Sequence, residues 1–319
     1  MVLEPSAPDS KMPSMPSSAR SSADEAVYER AHKQRATRRK ALLKRVPLAP
    51  AIETYDSIIA SLGAEGSSSP HTDGLAYITG AFLGTYSTVL GQIAASGKVG
   101  IKAQNSVKRI AGTNFQGLCE HALSTWLDTT DLPVCIAPNA PKAMREELTI
   151  HGIDHGVDFS VQPDIDMCLW VPDESLVSPI IFLSAKSSLV DRAGQAARWK
   201  MYLDMHQTTC TYIPLVADCP VRRTQVRMKA QRRITHCIVT ANIYKIDTTM
   251  PEDELGTGQC RNNTFMFEHR YTTRNDSREY RPPGWESLSC FPQLIHETFG
   301  RTNKRRPRRP PSRVLVGQP

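Results

Sequence analysis

Hydrophobic spacing changes character several times along the chain, and each change predicts a different kind of element. Residues 1–23 show no periodicity and are rich in Ser and Pro, which predicts disorder. From Asp24 the composition turns to helix formers. Apolar positions are few (Val27, Ala31, Leu42, Leu43) among eight Lys and Arg residues, so residues 24–50 predict an exposed basic helix ended by Pro47. Gly63–Gly74, with Ser67-Ser68-Ser69-Pro70, reads as a loop or linker. Between Leu75 and Leu127 the spacing is helical. Ala111-Gly112-Thr113-Asn114 predicts a helix start there, after which Phe115, Leu118, Ala122, Leu123 and Trp126 share one face. Residues 139–152 predict another helix, opened by Asn139-Ala140-Pro141.

Beyond that point the period drops to two. Val157–Val171 and Pro179–Ala185 read as strands joined by the turn signal Pro172-Asp173-Glu174-Ser175. A helix is predicted over Ser188–His206. Strands are predicted over Thr211–Ala217 and His236–Ile246, either side of the basic stretch Val221–Arg233, and again over Phe265–Tyr271. Residues 301–319, with Arg305-Arg306-Pro307-Arg308-Arg309-Pro310-Pro311, predict a basic disordered tail. Helices first, then a hairpin, a helix and more strands imply an α/β fold: a mixed β-sheet flanked by α-helices, with a helical N-terminal part and one domain over residues 75–300.

Charge sharpens this picture. The net charge of +7 conceals ten Lys and Arg in residues 1–45 and seven, with no acid, in residues 301–319. Residues 46–300 hold 22 basic against 27 acidic side chains. Basic flanks on an acidic body suit a polyanion binder whose acids gather round a metal, or are simply solvated tails. No apolar run is long enough to span a bilayer, which takes about 20 residues. Residues 1–5 show no secretory pattern, so a cytoplasmic location is expected. The eight cysteines form no CxxC pair, which argues against structural zinc and predicts buried free thiols.

The chemistry concentrates in Gln162-Pro163-Asp164-Ile165-Asp166-Met167-Cys168-Leu169-Trp170 and Ile180-Ile181-Phe182-Leu183-Ser184-Ala185-Lys186. If these runs pair as a hairpin about residue 175, Asp164 faces Lys186 and Asp166 faces Ser184. Alternation then puts both aspartates on one face, beside the ammonium. Two carboxylates can hold Mg²⁺, which lowers the pKa of a bound water, and a lysine can orient that water and steady charge on a phosphate. The basic stretch, Arg222 and Arg223 included, is a phosphate-binding surface if it faces a nucleic acid and a solvated loop if it does not.

The lysine opens the run Lys186-Ser187-Ser188-Leu189-Val190-Asp191-Arg192, continued by Ala193-Gly194-Gln195 and Trp199-Lys200. With Pro163-Asp164 upstream, this resembles type II restriction endonucleases of the PD-(D/E)xK superfamily, in the BsaWI-like branch, where the catalytic lysine begins a K-[ST]-S-x-x-[DE]-R run into a helix. The resemblance covers about residues 110–245. It implies a restriction-endonuclease-like sheet, Mg²⁺ as cofactor and Lys186 as catalytic lysine, with Asp164 or Asp166 as metal ligand. Glu120, on a preceding helix, is the candidate to complete the site. Arg192, Gln195 and Trp199 share a helix face, and Ser188, Arg192 and Gln195 would approach base edges in the major groove. The implied activity is sequence-specific double-strand cleavage of DNA leaving 5′-phosphates, by a homodimer. Two positions depart from the pattern: Ser184 fills the (D/E) slot, and Val190 stands where CCGG-cutting relatives carry Arg. The rival readings are a less specific repair or recombination nuclease of the same superfamily, and a non-catalytic DNA-binding protein on a nuclease scaffold.

Overall fold

A computed structural model describes residues 22–84, 86–97, 100–154, 156–163, 165–173, 178–187, 193–207, 226–229, 232–241, 264, 266–274 and 284–300. Six helices come first: α1 (Ser22–Leu43), α2 (Ala49–Ala64), α3 (Pro70–Gly74), α4 (Ile78–Gly84), α5 (Tyr86–Ala95) and the long α6 (Gly100–Asp128). Then follow β1 (Cys135–Ala137), α7 (Lys142–Glu147), β2 (Ile150–Asp154), β3 (Val157–Val161), β4 (Met167–Trp170) and β5 (Ile180–Lys186). The chain continues through α8 (Ala193–Gln207), β6 (Ile234–Thr240), β7 (Arg270–Thr272), β8 (Glu286–Ser287) and α9 (Phe291–Phe299). The result is a mixed α/β architecture. A six-stranded sheet runs in the order β1-β4-β5-β6-β7-β8, antiparallel from β1 to β5 and parallel from β5 to β8, and β2 and β3 form a separate hairpin. No described helix is long and apolar enough to cross a membrane.

Alternation along the central strands divides the core in two. Met167, Leu169, Ile181, Leu183 and Ala185 face a cluster shared with Leu118, Ala122 and Leu123 of α6, with α2 and α4, and with α9. Cys168, Trp170, Ile180 and Phe182 face the other side, where Trp199 and Leu203 of α8 and Met144 of α7 cover them. Both faces are buried, so Ile180-Ile181-Phe182-Leu183 of β5 reads as a continuous apolar run, as a strand covered on both sides does. Trp199 is core, and does not share an exposed face with Gln195. Close packing also reaches α6: a Cβ added at Gly117 would stand 2.6 Å from Leu48 Cδ2, so a larger residue there would have to push that side chain aside.

Several elements differ from the sequence expectation for identifiable reasons. The α1 helix begins at Ser22 and is not an exposed rod. Arg35 is fully buried, donating to Asp128 at 2.7 Å and to the Val134 carbonyl at 2.6 Å, and Arg39 also pairs with Asp128. Gln34 donates to the Ile136 carbonyl at 2.8 Å and accepts its N–H at 3.3 Å. Its carboxamide thus takes the place of a missing strand beside edge strand β1. The Gly63–Gly74 loop shrinks to residues 65–69, because α2 and α3 occupy its ends. The α6 helix begins at Gly100, eleven residues before the expected start. The helix over 139–152 is cut to α7, since Ile150–Asp154 pairs with Val157–Val161.

The single strand over Val157–Val171 is two, in different sheets, because the intervening Pro163 lacks an N–H for the ladder. The Phe265–Tyr271 strand shifts to β7; Phe267 instead donates to the Thr264 carbonyl in a turn. Cys119, Cys135, Cys168 and Cys237 are buried free thiols, but Cys290 is exposed. The strand expected over Thr211–Ala217, the segment 1–21 and the tail 301–319 lie outside the described residues.

Candidate functional site

The β4–β5 hairpin has the register that a turn about residue 175 dictates: Met167 opposite Leu183, Cys168 opposite Phe182, and Trp170 opposite Ile180. Continued by one residue, it sets Asp166 beside the end of β5. The ladder stops at Met167, however, and Asp166 sits in a bend. Freed from strict cross-strand pairing, its carboxylate does not meet Ser184 as expected. It leans past it, Oδ2 accepting from the Ala185 N–H at 2.9 Å and from Lys186 Nζ at 2.7 Å. Oδ1 accepts from Gln116 Nε2 of α6 at 2.5 Å. Asp166 is 8% and Lys186 3% exposed, so each charge is stabilised by the other and by fixed donors, not by bulk water. Burial beside the Asp166 carboxylate pushes the Cys119 thiol well above its ordinary range, which makes it a spectator and not a nucleophile.

The hydroxyl in the (D/E) slot is occupied elsewhere. Ser184, fully buried, shares a 2.9 Å hydrogen bond with His236 Nε2 of β6, the strand running parallel to β5. The His236 ring stands edge-on to Phe182 and Phe267. Burial first, then the neighbouring Lys200 and Lys186 charges, push its pKa down to about 3, so the imidazole stays neutral. Its Nδ1 is buried without a hydrogen-bond partner.

Glu120 is 2% exposed, but its carboxylate is taken: Arg38 of α1 grips it with Nε at 2.6 Å and Nη2 at 3.0 Å. That pairing in turn raises the Arg38 pKa further. Gln116, one turn earlier on α6, is the helix residue that touches Asp166. Sequence reasoning missed Gln116 because it searched that helix for a carboxylate. The signal available was its spacing, four residues before Glu120 on the same face.

Asp164, Ser188, Arg192, Arg222 and Arg223 lie outside the described residues. Gln195 is exposed in the first turn of α8. Arg232, from the basic stretch, is neither a free phosphate binder nor solvated: it is buried, donating to Glu147 at 3.2 Å and to the Ser178 carbonyl at 3.3 Å.

Among the described residues, no three His, Cys, Asp or Glu side chains converge on a point that could hold a metal. The donor chemistry at Asp166 is nonetheless of the hard kind: carboxylate oxygens, one of them accepting the Gln116 N–H, with the neighbouring imidazole turned to Ser184. Such oxygens suit Mg²⁺, which binds through one or two carboxylates and keeps its remaining waters. Asp166 would supply one of them, and Asp164, two residues away in sequence, is the candidate for the second. No protein-family model matches this chain, and no curated protein matches it.

Proposed function

We propose that the chain is a Mg²⁺-dependent endonuclease that makes double-strand breaks in DNA, of the PD-(D/E)xK restriction type. The observation that carries this reading is the buried Asp166–Lys186 pair at the end of the β4–β5 hairpin, where a carboxylate and an ammonium meet 2.7 Å apart. The strands are already held in register by their ladder, so the pair is not needed to join them.

In this mechanism Asp166, with Asp164, would hold the ion, whose chemistry when bound would be to make a water more acidic. Ala185 N–H and Gln116 fix the Asp166 carboxylate, so it needs no rearrangement when charge develops. Lys186 orients the attacking water in line with the scissile bond and steadies the charge on the phosphate oxygens. The 3′-oxygen leaves, and the product keeps a 5′-phosphate. Gln195, exposed on α8, with Ser188 and Arg192 just before that helix, would contact bases, and Arg222 and Arg223 would contact phosphates. Two such subunits would match a palindromic site.

Incubation with supercoiled plasmid and Mg²⁺ should give discrete fragments bearing 5′-phosphates, and EDTA should abolish cutting. A smear or branch-dependent cutting would indicate the repair-type nuclease. One observation favours a second, non-catalytic reading: Ser184 is spent on His236 and Glu120 on Arg38, which leaves Asp166 as the described carboxylate of the site. Plasmid that stays intact with Mg²⁺ and with Mn²⁺, while duplex DNA still binds, would establish that reading instead.

A further inference from the structure

We infer that the exposed face of the first turns of α6 is a rail for the backbone phosphates of a DNA duplex, running outward from the Asp166–Lys186 pair with Lys102 and Arg109 as its cations. This rests on the nuclease reading and deepens it by saying along which element the duplex lies.

Helix geometry lays out the rail. Of the described residues from Gly100 to Ile110 none is buried, so about three turns of α6 add almost nothing to the core. Packing does not account for so long an extension. Lys102, Arg109 and Gln116 follow one another at seven-residue steps, and a straight helix drifts only about 20° per such step, so the three share a face. Asn105, one turn before Arg109, lies on it too. Lys102, Asn105 and Arg109 are exposed, whereas Gln116 donates to Asp166 at 2.5 Å. The stripe therefore runs from open solvent to the charged pair. At about 1.5 Å per residue, Arg109 stands about 10 Å and Lys102 about 21 Å from Gln116 along the helix axis. One strand of a duplex carries a phosphate every ~3.4 Å of its axis, so with α6 alongside it these are about three and six base pairs.

Charge selects the occupant. From Gly74 to Cys119 the sequence holds four Lys and Arg and no Asp or Glu. Neither Lys102 nor Arg109 makes an ion pair among the described residues, whereas Arg35, Arg38 and Arg39 of α1 are spent on Asp128 and Glu120. A second copy packed on this face about a two-fold axis would set like charges against like. A lipid surface is the rival occupant, because Ile101 is 75% exposed. Ile101 lies about 100° round the helix from Lys102, off the polar stripe, so the stripe itself suits phosphates and not acyl chains.

The test is binding of a mixed-sequence duplex of about 30 base pairs, with Ca²⁺ replacing Mg²⁺, over about 50–200 mM salt. Each lost phosphate contact lowers the slope of log affinity against log salt by about 0.9, so Lys102→Ala with Arg109→Ala should lower it by about 1.8. Over that fourfold range the double variant should then lose about 12-fold less affinity than wild type. Lys102→Arg with Arg109→Lys keeps the charges and should keep the slope. Lys142→Ala with Arg145→Ala removes the same charge from exposed positions of α7 and should also keep it; an equal fall there would reduce the effect to net charge and overturn the rail. An unchanged slope in the α6 double variant overturns it too, as does a loss of binding to phosphatidylserine vesicles in place of the duplex. Plasmid cleavage with Mg²⁺ tells the two readings apart. A wild type that cuts, with a slope unmoved by the double variant, sinks the rail and leaves the nuclease. A slope that falls by about 1.8 in a protein that never cuts sinks the nuclease mechanism and leaves a duplex-binding face.

Discussion

Two buried ion pairs flank α6, one turn apart, and they serve different ends. Arg38 and Glu120 are 82 residues apart and join α1 to α6. Asp166 and Lys186 sit at facing ends of one hairpin, whose backbone hydrogen bonds already hold them close. Burying a charge costs several kcal/mol, and pairing returns that cost only in good geometry. At the helix pair the return is tertiary: with Arg35, Arg39 and Gln34, it seats a helix too poor in apolar residues to dock by hydrophobic burial alone. At the hairpin the two strands would stay joined by their ladder without the pair. The difference teaches a test for any buried ion pair, namely what would come apart if it were removed. Where the answer is nothing, a role toward a ligand is what the variants below test.

The largest expected effect breaks the hairpin pair outright. Asp166→Asn combined with Lys186→Met removes both charges and keeps the volume. Cleavage should fall below detection, since loss of one preorganised charge contact alone costs about 10²–10³ in rate. Thermal and urea unfolding should show stability unchanged or raised, by up to about 1–4 kcal/mol, as when other buried pairs are replaced. A clear loss of stability would mean that this pair, too, is a strap.

The second prediction exchanges the two roles. Arg38→Ala leaves the Glu120 carboxylate buried without its guanidinium. Breaking a buried pair typically costs about 3–5 kcal/mol; the lower end applies here because about a third of Arg38 stays in water. Below the new melting temperature the folded protein should still cut DNA. Wild-type stability in urea would show that α1 is docked by its neighbours and not by this contact.

The two regions were not equally legible in the sequence. The hairpin was readable because two independent signals agreed: alternation on both runs and a turn centred on residue 175, which together fix the register observed from Met167 to Trp170. What they could not give was the bend at Asp166, because a ladder's last rung depends on what lies beyond it. The helical half hid its logic. Arg35, Arg38 and Arg39 recur at helical spacing, but their acids lie on α6, and Lys and Arg runs look solvated until the partners are seen. Nor did Gly112 mark a helix start: α6 already runs from Gly100, its first turns largely exposed and bearing Lys102, Lys108 and Arg109. A surface helix that binds its polar face to another element leaves no apolar stripe to read.

Acid should expose a third difference, confined to the sheet. His236 has a folded pKa of about 3 against about 6.5 when unfolded, so between those values the unfolded chain binds the extra proton. Its contribution is therefore complete above about pH 6.5 and is lost as pH falls toward 3. At pH 5 this one group should cost about 2 kcal/mol relative to pH 7.5. His236→Phe, packed against Phe182 and Phe267, should remove that part of the pH dependence. Urea unfolding of both proteins at the two pH values decides it. Equal losses in the two would place the acid-sensitive group elsewhere.

The smallest effect is the most discriminating, because it sets the two neighbours on α6 against each other. Gln116 donates to Asp166 and Glu120 accepts from Arg38, so one should matter to catalysis and the other to docking. Gln116→Met keeps the chain length but removes the donor. A hydrogen bond to a charged group is worth about 1.5–3 kcal/mol, and Asp166 keeps its bonds to Ala185 and Lys186, so the cleavage rate should fall only about tenfold. The fall should lie in kcat, with duplex binding in Ca²⁺ unchanged, because Gln116 acts through the position of Asp166 and not on the substrate. Glu120→Gln, by contrast, keeps an oxygen for Arg38 and should leave kcat within about twofold while lowering the melting temperature. If Gln116→Met loses stability but no kcat, its amide is merely packing. If Glu120→Gln stays folded and stops cutting, Glu120 is the third site carboxylate after all, and Arg38 would then be part of the active site and not a strap between helices.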